Sequence, residues 1–292
     1  MKRGLLISIL YLGLISITFS QDLEYHKLYS LTDGMTAEQI MKIMYHNKYS
    51  LFAKDITFKG EVIYIDSPTF QRKRKYKKSR IILGKDGFSY KELTVITYPT
   101  EVKGLAVLVW SYISPQKDQQ VWLWLPSLKK VRKISASQDD DSFMGSDFTV
   151  EEVSTRRFED ETYRLIGEKV FSGYEFDYMK KTIFKGRRCY VIEAKPKKKN
   201  WYYAKRIVWI DKEIGGNIYE EYFDKKGRLF KKIFRYWKLI DVNGKKYPTQ
   251  IALEVKDLRT NHKTIILMED IKYDQNIKEE YFTVKTLMRQ RW

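Results

Sequence analysis

The side chains that most often bind metals are few and scattered in this sequence. The three histidines, His26, His46 and His262, do not occur at the spacing of a metal-ligand motif. Three consecutive aspartates at residues 139–141 precede Asp147, and clustered carboxylate oxygens suit calcium. The segment nevertheless lacks the alternating spacing and the glycine of a calcium-binding loop. We therefore predict no metal site.

The sequence also lacks the motifs of nucleophilic and cofactor chemistry. Ser146 follows Gly145 without the rest of a nucleophile elbow, and neither a phosphate-binding loop nor a dinucleotide fingerprint occurs. The single cysteine, Cys189, lies in the mostly apolar run CYVI, so we expect a thiol buried in a strand. We therefore predict that the protein is not an enzyme and has no cofactor.

A different kind of site is indicated by residues 121–153. This stretch opens with the apolar run VWLWL, which Pro126 ends. The basic run KKVRK follows at 129–133, and then a Ser/Asp/Gly-rich loop that contains Phe143, Met144 and Phe148. Loops are normally polar, so three large apolar residues in this loop are expected to fill an apolar space.

The order of these features resembles the uncharacterised outer membrane lipoprotein-sorting proteins, a branch of the LolA/LolB-like superfamily. The resemblance extends to a Lys-Gly-x-x-hydrophobic-Leu-x-Trp pattern at 103–110. It continues through the segments RIVWID, FDKKG, YPTQ and YFTVKTL in the last third of the chain. It therefore covers nearly all of residues 21–292, and because no repeat or linker interrupts them we predict one domain.

The resemblance implies a mainly β fold with few helices, in which a curved antiparallel sheet forms an open half-barrel closed by helices. The residues agree with this expectation. Thr36 and Gln39 form a capping-box pattern that predicts a helix over 36–49, and most later segments are short strands separated by turns. The segments 105–112 and 121–125 are apolar on both faces, so something must cover the second face.

In a LolA-like fold the curved sheet and its helices enclose an apolar cavity, which would take a lipid or the acyl chains of a lipoprotein. From the resemblance we expect strand, helix and loop residues to line this cavity; they are Ile40, Met44, Leu108, Trp110, Trp122, Trp124, Phe143, Met144 and Phe148. A shift of one residue would place Leu123 and Leu125 inward in place of the two tryptophans. Ordinary core packing is the alternative role for all of these residues.

The amino terminus and the net charge indicate a location and a partner. Lys2 and Arg3 precede an uncharged, mostly apolar stretch that ends at Ser20, which predicts a cleaved signal peptide over 1–20 and export to the periplasm. The net charge of +18 suits an anionic surface, and because the export signal argues against nucleic acid we predict no nucleic-acid partner. We expect contact with lipid head groups or the membrane surface at Arg72, Arg74, Lys129, Lys130, Arg132 and Lys133.

Two functions of different classes follow from these observations. The first is a periplasmic carrier or chaperone that binds a lipid or lipoprotein acyl chains, with the option of peripheral contact with the inner or outer membrane. The second is an adaptor or sensor that works with a transporter of the RND/MMPL type, since proteins resembling this family are often encoded beside such exporters. In the second case the protein's own side chains would fill the cavity.

Overall fold

The computed structural model describes residues 23–67, 70–134, 140–290 and 292. The predicted signal peptide, residues 1–20, lies outside them. In the described part of the chain, none of the helices is long and apolar enough to cross a lipid bilayer. The two α-helices are α1 (Ala37–Lys48) and α2 (Val284–Arg289).

Fifteen β-strands make up most of the described chain. The strands are β1 (Asp55–Ser67), β2 (Phe70–Lys85), β3 (Phe88–Tyr98), β4 (Ala106–Tyr112), β5 (Gln120–Leu125), β6 (Lys130–Ile134), β7 (Glu161–Val170), β8 (Tyr174–Phe176), β9 (Lys181–Ile183), β10 (Arg188–Pro196), β11 (Lys205–Asp211), β12 (Asn217–Phe223), β13 (Leu229–Val242), β14 (Lys245–Asp257) and β15 (Lys263–Tyr273). Thirteen of them form one antiparallel sheet in the order β6-β5-β4-β3-β2-β1-β15-β14-β13-β12-β11-β10-β7. The sheet is curved and does not close, which confirms the predicted fold class.

Helix α1 begins as its capping signal predicts. The Thr36 hydroxyl accepts a hydrogen bond from the Gln39 backbone, and the Gln39 side chain accepts one from the Thr36 backbone. These two bonds satisfy donors that have no partner inside the helix. The apolar side of the helix, including Ile40 and Met44, packs on β10 and β11 through contacts with residues such as Ile192 and Val208.

The two faces of the sheet are covered by different parts of the chain. We call residues 140–160 the cover segment; with α1 it packs on the face that we call inner. The other, outer face is covered by the β8–β9 hairpin over one half of the sheet and by the carboxyl-terminal residues 277–290 and Trp292 over β3–β5. Two covered faces explain why the neighbouring strands β4 and β5 are apolar on both sides.

Candidate functional site

An apolar cavity of about 400 Å³ lies between the cover segment and the inner face of β2–β5. The sheet contributes Ile96, Val107, Val109 and Val121 to its wall, and the cover segment contributes Phe143, Met144 and Val150. This volume lies within the range of roughly 300–1,000 Å³ that is common for ligand cavities. More than half of its lining residues are apolar, so it suits an apolar chain, although the charged residues Arg74, Lys78, Glu92 and Asp141 also line it.

The strand residues that we predicted for the cavity lie on the other face of the sheet. Trp124 pairs with Ala106 and Leu108 pairs with Trp122, and all four pack against the carboxyl-terminal segment. The Trp110 indole also points there, since its Nε1 donates a hydrogen bond of 2.9 Å to the Phe282 carbonyl. These four residues therefore do not line the cavity, and the prediction is wrong. Side chains alternate between the two faces along a strand, so the adjacent residues Val107, Val109 and Val121 face inward instead.

The other predicted cavity residues divide into two groups. The helix residues Ile40 and Met44 are buried against β10 and β11 and do not reach the apolar cavity. Phe148 is fully buried in the core cluster below the cover segment. Phe143 and Met144 line the cavity, as the apolar residues in this loop led us to expect.

Hydrogen bonds and buried ion pairs hold the cover segment over the inner face. The Met144 carbonyl accepts hydrogen bonds from the Tyr64 hydroxyl at 2.8 Å and from Nη1 of Arg74 at 2.9 Å. Farther along, Glu152 is paired with Lys231 of β13, and Arg156 is paired with Glu151 and bonded to the Tyr222 hydroxyl. The cover segment, which forms the roof of the cavity, is thus attached to both halves of the sheet, at β1 and β2 and at β12 and β13.

A second, smaller cavity of about 90 Å³ adjoins the first, and both are lined by Lys78 and Phe143. We call it the basic cavity, because four cationic side chains and no carboxylate line it in the described part of the chain. The four are Lys48 of α1, Lys78 and Arg80 of β2, and Arg235 of β13. Arg80 and Arg235 are buried, so this charge lies inside the protein.

Three of these four cations have carboxylate partners that do not line the basic cavity, although Glu92 lines the adjoining apolar cavity. Lys78 lies 2.8 Å from Glu92, and Arg80 donates two hydrogen bonds to the same carboxylate. Arg235 donates to Glu220 at 2.9 Å. Burial alone would raise the pKa of Glu92, but the two cations lower it to about 2. Glu92 is therefore charged at neutral pH.

The basic run of β2 explains how these cations reach the interior. Residues along a strand alternate between its faces, so Arg72, Arg74, Lys78 and Arg80 point inward while the lysines between them point outward. The Arg72 guanidinium lies 5.0 Å from the centre of the Tyr64 ring. Of the two predicted head-group residues of β2, Arg74 therefore lines the apolar cavity, and Arg72 is exposed on the same face of the strand.

The remaining predicted basic residues lie at one edge of the sheet. Lys129 precedes β6, and Lys130, Arg132 and Lys133 belong to it; all four are exposed. We call these four residues the basic edge. Charged residues are common on edge strands because they oppose pairing with a second sheet.

The groups that could carry other chemistry have structural partners. The His46 ring bonds through Nε2 to the Lys27 carbonyl at 2.8 Å, and His26 bonds through Nδ1 to the Ala53 carbonyl at 2.8 Å. Cys189 is buried in β10 as predicted, and burial raises the pKa of its thiol to about 12. No group of three or more metal-binding side chains converges in the described residues.

Comparison with known proteins identifies the family and the fold. A family described as "Uncharacterized protein" matches residues 89–289, which is more than half of the chain. A DUF1329 family protein from Desulfovibrio piger is similar in structure, with 27% identity, a TM-score of 0.71, and coverage of 86% of this chain and 99% of that one. No curated protein sequence matches the chain.

Two further structures are similar at lower identity and support the same fold. A domain described as an outer membrane lipoprotein-sorting protein, from Vibrio parahaemolyticus, has 24% identity and a TM-score of 0.70 over 87% of this chain and 98% of that one. A LolA superfamily protein from Nitrosomonas europaea has 15% identity and a TM-score of 0.59 over 86% and 99%. The chain therefore belongs to this uncharacterised family, and its fold is LolA-like.

Proposed function

We propose that this member of the LolA-like family is a periplasmic carrier that binds the apolar chain of a lipid or of an acylated lipoprotein in the apolar cavity. The observation that carries the proposal is the cavity of about 400 Å³ between the cover segment and the inner face of the sheet. Similarity in fold to a domain described as a lipoprotein-sorting protein supports a binding or carrier role.

The energetics of apolar burial support a useful affinity. Each buried methylene contributes about 0.8 kcal/mol. Fifteen buried methylenes would therefore contribute about 12 kcal/mol, and a cost of association of about 4 kcal/mol would leave about 8 kcal/mol, which is the scale of a micromolar complex. One chain of ordinary length is sufficient on this reasoning.

The experiment that tests the carrier function is native mass spectrometry of the protein purified from periplasm without detergent, together with extraction of any bound lipid. We expect a stoichiometric adduct of lipid mass, and the extract would identify the ligand class. A protein without an adduct that also takes up no neutral apolar fluorophore would contradict the proposal.

The adaptor or sensor function predicts that no ligand-sized cavity is present. An adaptor for a transporter of the RND/MMPL type would have a core filled by its own side chains, whereas the wall residues here leave about 400 Å³ between them. Capture of such a transporter by a protein without bound lipid would favour this alternative.

The basic edge is proposed as the surface that meets anionic membrane. Its four side chains are exposed on and beside β6, and Ile134 of the same strand also lines the apolar cavity. Each basic residue near an anionic bilayer contributes roughly 1 kcal/mol. Docking by this edge would bring the cavity close to the lipid that it takes up or releases.

A further inference from the structure

Lys48 is a cation on the apolar side of α1. It follows Met44 by four residues and Met41 by seven, and it therefore lies on the stripe that packs into the protein. Lys48 is 8% exposed. In the described part of the chain its ammonium makes no hydrogen bond or ion pair, and lies 5.3 Å from the centre of the Tyr49 ring and 5.8 Å from that of Tyr45.

Four buried cations on the inner face each have a carboxylate partner, whereas Lys48 has none among the described residues. The four ion pairs are Arg156–Glu151, Arg206–Glu161, Arg235–Glu220 and Lys231–Glu152. Glu220 is the carboxylate whose charge most supports that of Lys48, but Arg206 donates to it at 2.6 Å and Arg235 at 2.9 Å. Lys48 is thus the fifth cation beside four carboxylates.

The second group of charges at the basic cavity is also unbalanced. Lys78 and Arg80 share the single carboxylate of Glu92. An unpaired buried charge is costly, since the protein interior solvates it poorly. The cavity between the two groups therefore has an excess of positive charge and free donors, which is the condition that an anionic ligand would relieve.

We propose that the basic cavity binds the anionic head group, a carboxylate or a phosphate, of an amphiphile whose chain occupies the apolar cavity. This inference rests on the proposed carrier function and adds the chemistry of its ligand. The two cavities adjoin at Lys78 and Phe143, which line both, and the proposed ligand extends past these two side chains from one cavity into the other. Lys48 provides the charge-assisted hydrogen bond, and Arg80, Lys78 and Arg235 add to the positive field.

The size of the basic cavity limits the head group. At about 90 Å³ it is less than a quarter of the size of the apolar cavity, which suits a small head group such as a carboxylate or a phosphate. Burial, together with the charges of Arg235 and Arg156, lowers the pKa of Lys48 well below its usual value. A bound anion would favour the protonated ammonium and would thus be held more tightly.

The test compares two ligands with the same chain and different head groups. The protein, expressed from its full-length gene and purified without detergent, is titrated with hexadecanoate and with hexadecanol while displacement of a neutral apolar fluorophore is followed. Inorganic phosphate and acetate are added alone in parallel. The variants are Lys48→Met, which removes the charge, Lys48→Arg, which retains it, and Lys54→Met as an exposed control from the same region.

We expect hexadecanoate to bind roughly tenfold or more tightly than hexadecanol, the factor of one charge-assisted hydrogen bond. Lys48→Met should abolish the difference without lowering the affinity for hexadecanol, and Lys48→Arg should retain much of it. Lys48→Met removes a buried amine that has no hydrogen-bond or ion-pair partner among the described residues, so the variant should fold at least as stably as the wild type.

Different results would contradict the head-group inference and the carrier function. Equal affinity for both amphiphiles, unchanged in Lys48→Met, would overturn the head-group inference and leave the carrier function standing. Displacement by phosphate or acetate alone as effective as by hexadecanoate would also overturn it, because the site would then be one for free anions. Failure of both amphiphiles to displace the fluorophore would contradict the carrier function itself.

Discussion

Lys231 of β13 and Glu152 of the cover segment form an ion pair of 3.1 Å in which both side chains are buried. The same ammonium donates to the Asp147 carbonyl at 2.9 Å, and the Glu152 carboxylate accepts from the Thr149 backbone at 2.8 Å. The roof of the apolar cavity is therefore attached to the sheet by charge as well as by apolar packing.

Replacing Lys231 with methionine should reduce the free energy of unfolding by about 3–5 kcal/mol, because Glu152 would remain buried without its cation. The double variant Lys231→Met/Glu152→Gln should recover most of this loss. Urea unfolding measures both values. Lys232→Met is the control, since the neighbouring side chain points to the outer face; it should change stability by less than about 1 kcal/mol. Equal losses in the single and the double variant would show that the pair is not coupled.

The free energy of unfolding should fall as the pH is lowered from about 6.5 to 4, because His46 takes up a proton more readily in the unfolded chain than in the folded protein. Burial lowers the pKa of His46 to about 4 in the folded protein, against an unfolded value near 6.5. Between these values the unfolded chain binds more protons, so acid favours unfolding, by up to about 3 kcal/mol at pH 4. Glu92 and Glu161, whose pKa values are lowered to about 2, lose their contribution mainly below pH 4.5.

The variant His46→Gln separates these two effects, because glutamine can still donate to the Lys27 carbonyl but does not titrate. Its stability should be nearly constant from pH 6.5 to 4.5 and should then fall as in the wild type. Thermal unfolding across this range measures the difference. A parallel decline in both proteins above pH 4.5 would assign the effect to another group.

Introducing a charge into the apolar cavity should prevent lipid uptake. Val109→Asp places a carboxylate on the inner face of β4, where burial beside a ligand chain would cost several kcal/mol and reduce affinity by at least roughly a hundredfold. Val170→Asp makes the same change on β7 at a side chain that is 65% exposed, and should leave uptake unaltered. Uptake of a neutral apolar fluorophore measures both. Normal uptake by folded Val109→Asp would exclude this cavity as the binding site.

Binding to anionic vesicles should depend on the basic edge and on salt. Replacing Lys129, Lys130, Arg132 and Lys133 with glutamine removes about 4 kcal/mol of attraction at low ionic strength. The matched control replaces Lys195, Lys197, Lys198 and Lys199, which are also exposed. Co-sedimentation with vesicles in low and in high salt provides the comparison. Binding that is indifferent to salt would remove the membrane role of this edge.

Local sequence signals predicted the elements of this fold well. Thr36 and Gln39 predicted the start of α1 because a capping box satisfies backbone donors locally. The alternation of β-forming residues and the turn glycines located most strands, because a strand needs side chains that fit a pleated surface. The expectation that the strands form one curved, open sheet came from the resemblance to a family, and only the structure gives the number and order of its strands.

The direction in which each strand faces could not be predicted locally. β4 and β5 are apolar on both faces, so the sequence does not show whether Val109 or Trp110 lines a cavity. Which of the two does so depends on what covers each face of the sheet. The carboxyl-terminal segment covers the tryptophans, with Phe282 and Leu287 fully buried against them. That contact joins residues more than 150 positions apart, and only tertiary structure reveals it.

Lys48 was also missed, although the sequence contained a signal for it. A lysine four residues after Met44 and seven after Met41 lies on the apolar stripe of the helix, which is an unusual place for a cation. Arg80, Lys78 and Arg235 gave no comparable signal, because each lies in a strand rich in basic residues, and only the register assigns them to the inner face.

The position of β6 at the edge of the sheet has a consequence for how fast a ligand can enter. β6 pairs only with β5, over five residues, and both strands contribute to the cavity wall through Ile134 and Val121. Separating these two strands breaks one short ladder and leaves the other twelve strands intact, so it is among the least costly local openings available. We expect the amides of β6 to exchange with solvent hydrogen faster than those of β3, and ligand exchange to occur on the timescale of this opening.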